Sequence, residues 1–189
     1  MRKDLFLMKT LCALCALCVL CRSANALSVS PPEHVTIEKS EAAGNGCPQD
    51  SLPHSARLAD GGNAVELTLP PIDLAAATGG LRRLQCSVIL SLKFTKGFSV
   101  RIAGLVGELS NASSTHGATV TFSTHLQGKE KTTRSEHPLI NGPLTASVAG
   151  EWSPCGDHAT FVTTTALRGR QDGALASERR LTLEWQTCP

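Results

Sequence analysis

Cys12, Cys15, Cys18 and Cys21 stand three residues apart in the run LCALCALCVLC. Interlocking C-x-x-C spacing is what a metal cluster or a redox centre uses, because neighbouring thiolates can then converge on one ion or exchange one disulfide. Such a site also needs groups that orient the sulfurs. Here the other members of the run are Leu, Ala and Val, with no His and no acid. Arg2, Lys3 and Lys9 precede it, and Ala24-Asn25-Ala26 follows with small residues where a signal peptidase needs them. These parts read as a secretory signal peptide, residues 1–26, in which cysteine serves as a small hydrophobe. The apolar stretch Leu11–Cys21 falls short of the ~20 residues that span a bilayer. A lipid-anchor cysteine would follow a small residue, whereas Cys15, Cys18 and Cys21 each follow Leu. The expected product is secreted and extracellular, with no membrane span after cleavage.

Cleavage after Ala26 leaves a single domain, Leu27–Pro189, within the usual size of one hydrophobic core. The leader holds Arg2, Lys3, Lys9 and Arg22 against Asp4. Hence 14 of the 18 basic and 15 of the 16 acidic residues remain, for a net charge of −1 with His neutral. No basic footprint for nucleic acid survives; the pairs Arg82-Arg83 and Arg179-Arg180 read as solvated strand ends. Four cysteines remain: Cys47, Cys86, Cys155 and Cys188. An even number in a secreted chain implies two disulfides, with three possible connectivities. The sequential one, Cys47–Cys86 with Cys155–Cys188, is the expectation. None of the four lies at C-x-x-C spacing, so no metal site is expected of them.

Other residues could do chemistry. Glu108, Glu151 and Asp157 fall near strand ends or turns, where convergence of two acids would suit glycoside hydrolysis. Of His34, His54, His116, His125, His137 and His158, no pair has the i, i+4 helical spacing of a zinc protease. His125 and His158 could meet on neighbouring strands. G-x-S-x-G is absent, and no free thiol is expected as a nucleophile. Asn111-Ala112-Ser113 is an N-glycosylation sequon, while Asn45-Gly46-Cys47 is the rarer cysteine variant and carries no weight once Cys47 is bridged. Sugar-stacking platforms are scarce, since aromatics are 4% of the chain and Tyr is absent. Trp152 and Trp185 each precede a cysteine by three residues and are expected to pack on a disulfide. Neither catalytic residues, a metal site nor a cofactor is assigned.

The elements that must position these groups are short alternating runs broken by Gly, Pro and Asn, the pattern of an all-β domain. QCSVILSLKF sets Cys86, Val88, Leu90, Leu92 and Phe94 on one face; GATVTFSTHLQG does the same with Ala118, Val120, Phe122, Thr124 and Leu126. HVTIEK, NAVELTLPPIDL, FSVRIAGLVGEL, PLTASVAGEW, HATFVTTTALRG and RRLTLEWQTC complete about eight strands. In FSVRIAGLVGEL, Gly104 and Gly107 suggest a bulge or bend. IDLAAATGG can hold one helical turn at most. An antiparallel β-sandwich is the natural solution, with a closed or partly open β-barrel as the alternative.

EWSPCG at 151–156, read with LEWQTC at 183–188, GNGCP at 44–48 and RRLQC at 82–86, closely resembles the domain-of-unknown-function family numbered 4360. These are small secreted proteins of fungi, other microbial eukaryotes and bacteria. The likeness runs from about Pro31 to Cys188. It carries over as Gly46-Cys47-Pro48, Cys86 after a basic pair, Trp152-Ser153-Pro154-Cys155-Gly156, and Trp185 with Cys188. It implies a secreted β-rich domain on four framework cysteines and no particular activity. The absence of Tyr after Gly97-Phe98 departs from the family pattern. Within Ser-Pro-Cys-Gly, Pro154 fixes φ and Gly156 tolerates positive φ, so a tight turn with a structural role for Trp152 and Trp185 is expected. The functional expectation is a monomeric, non-enzymatic extracellular or wall-associated domain that binds an unidentified polymer or protein. The alternative is an extracellular hydrolase or metal-dependent enzyme using acidic and His residues in a cleft, with at least two of Glu108, Glu151, Asp157, His125 and His158 brought together.

Overall fold

The computed structural model describes residues 29–47, 54–77, 82–110, 118–130, 132–170 and 172–189. The leader, Pro48, Asn111 and His116 lie outside them. The described elements are β1 (Val35–Ala43), β2 (Ser55–Ala59), β3 (Ala64–Thr68), β4 (Ile72–Asp73), β5 (Arg82–Ser110), β6 (Thr119–Leu126), β7 (Thr133–Pro138), β8 (Gly142–Ser147), β9 (Gly156–Gly169), β10 (Ala174–Leu175) and β11 (Glu178–Thr187). Two 3-10 turns, Asp60–Gly62 and Leu74–Ala76, complete the set. In the second, Asp73 accepts from the Ala75 N–H at 2.9 Å, which satisfies one of the donors a helical start leaves open.

All pairing is antiparallel, and β5 runs through the whole of it. Its first half pairs with β1 on one side and β9 on the other. Its second half pairs with β11 and β8. The ladder is interrupted between Lys93 and Phe98, where Gly97 takes φ +97°, a backbone conformation that glycine adopts without Cβ strain. Beyond β9 lie β6 and then β7; beyond β11 lie β3 and then β2. The result is two layers, β1-β5-β9-β6-β7 and β2-β3-β11-β5-β8, joined through the shared strand and not closed into a barrel.

Eleven strands replace the expected eight, for a physical reason in each case. QCSVILSLKF and FSVRIAGLVGEL are one continuous strand rather than two. β7, Thr-Arg-Ser-Glu-His-Pro, shows no alternation of large apolar residues and is held by its backbone pairing to β6. β4 and β10 are two-residue bridges, and β2 is a five-residue edge. A strand made by hydrogen bonds alone leaves no hydrophobic alternation to read.

The inner faces alternate as period two requires. Val88, Leu90, Leu92, Phe94, Val100, Ile102, Val120, Phe122, Phe161, Leu167, Leu181, Leu183 and Trp185 form one buried cluster between the layers. Trp185 of β11 is 2% exposed; its ring meets Phe94 edge-on at 5.1 Å, and its indole N–H donates to the Gly62 carbonyl at 2.9 Å. That one side chain joins the two halves of β5 to the turn after β2. Trp185→Phe strands the Gly62 carbonyl and thins the packing on Phe94. It should cost about 2–3 kcal/mol of stability, read as a shifted urea midpoint at unchanged slope.

Candidate functional site

Cys47 is bonded to Cys86 and Cys155 to Cys188. The first bridge is buried, both cysteines being 1% exposed, and is built around Gly44-Asn45-Gly46. The Asn45 side-chain N–H donates to the Arg83 carbonyl at 3.0 Å, and its carbonyl oxygen accepts from the Gln85 N–H at 2.8 Å. The Gly46 N–H reaches the Gln85 carbonyl at 2.8 Å. A Cβ on Gly44 would stand 2.2 Å from that same carbonyl oxygen, so only glycine lets the clip close. The Asn45 amide is therefore spent on β5, in keeping with giving Asn45-Gly46-Cys47 no weight as a sequon.

The second bridge fastens the segment before β9 to the end of β11, beside the β5 bend; the Cys188 N–H donates to the Gly97 carbonyl at 2.9 Å. The turn entering it is held by serine. Buried Ser99 donates to the Ser153 carbonyl at 2.6 Å, the Ser153 hydroxyl accepts from the Val100 N–H at 3.0 Å, and the Ser153 N–H donates to the Val100 carbonyl at 2.9 Å. Pro154 is exposed, and Gly156 opens β9 outside the positive-φ region, so the glycine's conformational freedom is not what shapes this turn. Half-buried Trp152 carries the Arg101 guanidinium over its ring at 4.6 Å, and Arg101 in turn pairs with Glu184 at 2.6 Å.

Of the acids and histidines named from sequence, the structure brings together the chain neighbours Asp157 and His158, on open surface rather than in a cleft with a second acid. Asp157 and His158 touch at 2.9 Å, both exposed, and the hydrogen bond from His158 holds the Asp157 carboxyl below its ordinary range. Glu108 stands ten residues along β5 from Phe98, the residue facing Gly156, which puts it roughly 30 Å from Asp157. Glu151 lies in the segment strapped to Ser99 and Val100. His125 faces Val162, four residues along β9 from His158, so the two histidines are ~13 Å apart. His54 contacts the Ser40 carbonyl at 2.7 Å, and His34 is exposed. His137 turns a buried Nε2 inward. A recess of about 330 Å³ beside His158 is lined by Lys129, Pro154 and Cys155 and by no carboxylate.

The concave ground lies elsewhere, on the outer face of the β2-β3-β11-β5-β8 layer. A cleft of about 620 Å³ is lined by Arg57, Glu66, Glu108, Glu178, Arg179 and Arg180, with Val106 and Pro143 on its floor. A second, about 480 Å³, runs over Ala103, Gly104 and Val106 between Thr145, Ser147 and Thr182, with Arg101 and Glu184 at its end. The two share Val106 and form a trough of about 23 Å along β5 from Arg101 to Glu108. Its small floor is required: a Cβ on Gly104 would lie 2.7 Å from the Ala146 carbonyl oxygen of β8. Gly104 also sits where β11 slips register, between Thr182 and Leu183, so the bulge the glycines suggest is there.

Sequence reasoning missed Arg179. It is not a solvated strand end but 3% exposed, and the signal was available: in RRLTLEWQTC, period two places Arg179 on the same face as Leu181, Leu183 and Trp185. Arg82 is likewise half-buried, donating to the Leu74 and Arg170 carbonyls at 2.9 Å each and pairing with Asp172 at 2.8 Å.

The sequence profile of a family described as "Domain of unknown function (DUF4360)" matches residues 33–188. No curated protein matches the chain. Among solved structures, the carbohydrate-binding module TmCBM61 in complex with β-1,4-galactotriose is similar at 11% identity. The alignment covers 79% of this chain and 89% of that one, with a TM-score of 0.29. A superposition at that level does not establish a common fold.

Two outcomes follow from the geometry. Gly104→Ala forces β8 away from β5 and should destabilise by about 1–3 kcal/mol while narrowing the second cleft, measurable by thermal unfolding. Asp157 has a lowered carboxyl pKa when folded, so its contribution is present above the ordinary aspartate range of about 4 and lost as pH falls through it. The thermal midpoints of wild type and Asp157→Asn should therefore converge in acid, with only a slight difference at neutral pH.

Proposed function

The chain belongs to the DUF4360 family, and on that footing we propose that it is a secreted, non-enzymatic binding domain whose contact surface is the trough on the outer face of the β2-β3-β11-β5-β8 layer. One observation carries this reading: the described surface offers an open, two-cleft trough floored by regular strand, while the Asp157–His158 pair is exposed and Glu108 and His125 stand well away from it. Strand-borne side chains are held in place by their ladders, which suits recognition of an extended ligand. The charged residues around the trough are largely spent on one another. Glu66 pairs with Arg57 and Arg180, Asp60 with Arg180, and Glu184 with Arg101. Fixed ion pairs of this kind shape a wall and give direction to hydrogen bonds.

The leader reading makes the compartment extracellular, where two disulfides persist and a wall polymer or a surface protein is the available partner. Mature protein purified from a secreting host should begin at Leu27, contain no free thiol, and be retained on at least one wall polysaccharide or extracellular protein in an immobilised panel. Intact mass and the panel are read on the same sample. A chain that keeps Cys12–Cys21, or one with four free thiols, would sink the secretory reading; hydrolysis of any panel member would sink the non-enzymatic one.

A further inference from the structure

Arg83 and Arg168 face each other across the β5–β9 ladder, and both are exposed. They lie on the outer face of the β1-β5-β9-β6-β7 layer, the side of the molecule away from the trough. Residues directly opposite in an antiparallel pair have Cβ atoms about 5 Å apart, and like charges there destabilise the sheet. The acids of this face are engaged elsewhere: Glu41 by Lys39 at 3.0 Å, Glu38 by Lys93 at 3.7 Å, Glu136 by Arg134 at 2.7 Å and Asp157 by His158 at 2.9 Å. Among the described residues neither Arg83 nor Arg168 has a carboxylate partner. The Arg83 guanidinium reaches the Gln85 side-chain oxygen at 3.5 Å, and no more. Two cations are thus left side by side where folding alone disfavours them, open to an anion from solvent.

A carboxylate presents two oxygens, which a single guanidinium fork fills. Two guanidiniums within reach of one group suit an ester of sulfate or phosphate, whose three terminal oxygens accept from both. The floor beside the pair bears on the rest of the ligand. The face continues through Thr119 and Thr121 on β6, and through Ser87 and Thr164, whose hydroxyls meet at 2.8 Å. All four are half-buried and short, held in place by their ladders. They make a shallow hydrogen-bonding floor that suits the hydroxyls of a sugar chain better than the anchoring side chains of a peptide.

We propose that this face docks an extracellular polysaccharide bearing sulfate or phosphate esters, with one ester group held between Arg83 and Arg168 and the sugar chain lying over the Ser and Thr rows. It is a second contact surface, independent of the trough.

Dextran, carboxymethyl-dextran, dextran sulfate and dextran phosphate, matched in length and substitution, share one backbone and differ in the group carried. Titrated into the mature protein, an ester polymer should bind at least tenfold tighter than the carboxymethyl polymer, about 1.4 kcal/mol. The tighter of the two esters identifies the group. Arg83→Gln and Arg168→Gln should each remove most of that preference. Lys129→Gln, which removes the same charge beyond the far end of β6, should leave it intact. Losing one arginine also lifts the like-charge opposition, so the thermal midpoint of either variant without ligand should hold or rise. A fall in both midpoints would give the pair a structural role instead. Carboxymethyl-dextran or neutral dextran binding as tightly as the esters, or tighter binding to poly-glutamate or to phosphatidylglycerol vesicles, overturns the proposal and leaves the reading of the trough standing.

Discussion

A strand of 29 residues would reach roughly 95 Å if it stayed straight, more than twice the diameter of a compact domain of this size. β5 is that strand, so it has to turn, and its pairing to β9 lapses between Lys93 and Phe98, where one half gives way to the other. Nearly everything else in the fold answers to this. Each half of β5 recruits its own pair of neighbours, so the two layers are built on a single stretch of backbone. Trp185 plugs the angle between the halves through Phe94 and Gly62. The Cys155–Cys188 bridge and the Ser99–Ser153 hydrogen bonds sit against the same bend from outside. The bend is the point about which both sheets are organised, and the outer face of the second sheet, with its trough, inherits its curvature.

The charges tell a consistent story at the surface. Arg57, Glu66, Arg180 and Asp60 form a connected patch across β2, β3, β11 and the turn after β2, and Arg101–Glu184 continues it beside Trp152. Exposed pairs of this kind contribute little stability each, commonly below about 1 kcal/mol. Their effect here is orientation. They fix long side chains along the walls of a groove and neutralise one another, whereas Arg179 is turned inward onto the Ala176 and Pro70 carbonyls.

Much of the fold was legible because the inner faces obey period two. Cys86, Val88, Leu90, Leu92 and Phe94, and then Val120, Phe122, Thr124 and Leu126, are buried as the alternation requires. What stayed hidden was held by backbone alone, as in β7, or was too short to show a period, as in β4 and β10. The continuity of β5 was hidden by Thr95-Lys96-Gly97, which punctuates the sequence without ending the strand. The candidate site was less legible still. Hydrolytic residues draw attention by type, but only Asp157 and His158, neighbours at the start of β9, touch, while His125 and Glu108 lie on other strands. The trough is made of Ala103, Gly104, Val106 and Thr182, whose types announce nothing. Arg179 could have been found by carrying the alternation of β11 one step further toward its start, where a charged residue masks the pattern.

Each half of β5 also takes as its partner a strand that leaves the ribosome much later. Arg82–Lys93 waits for His158–Gly169, and Phe98–Val106 waits for Arg180–Thr187. During synthesis the growing chain can draw Asn45 onto Gln85 and close Cys47–Cys86 early, since both ends of that clip lie in the first half. The central strand nonetheless remains uncovered on at least one edge until residues 158–187 have been made. Pairings this distant close slowly, because the intervening loop entropy must be overcome first. A long, apolar, half-covered strand in that interval is a template for mispairing with other copies. A bridge closed between Cys47 and Cys86 would hold β1 against the first half of β5 while the later partners are still missing.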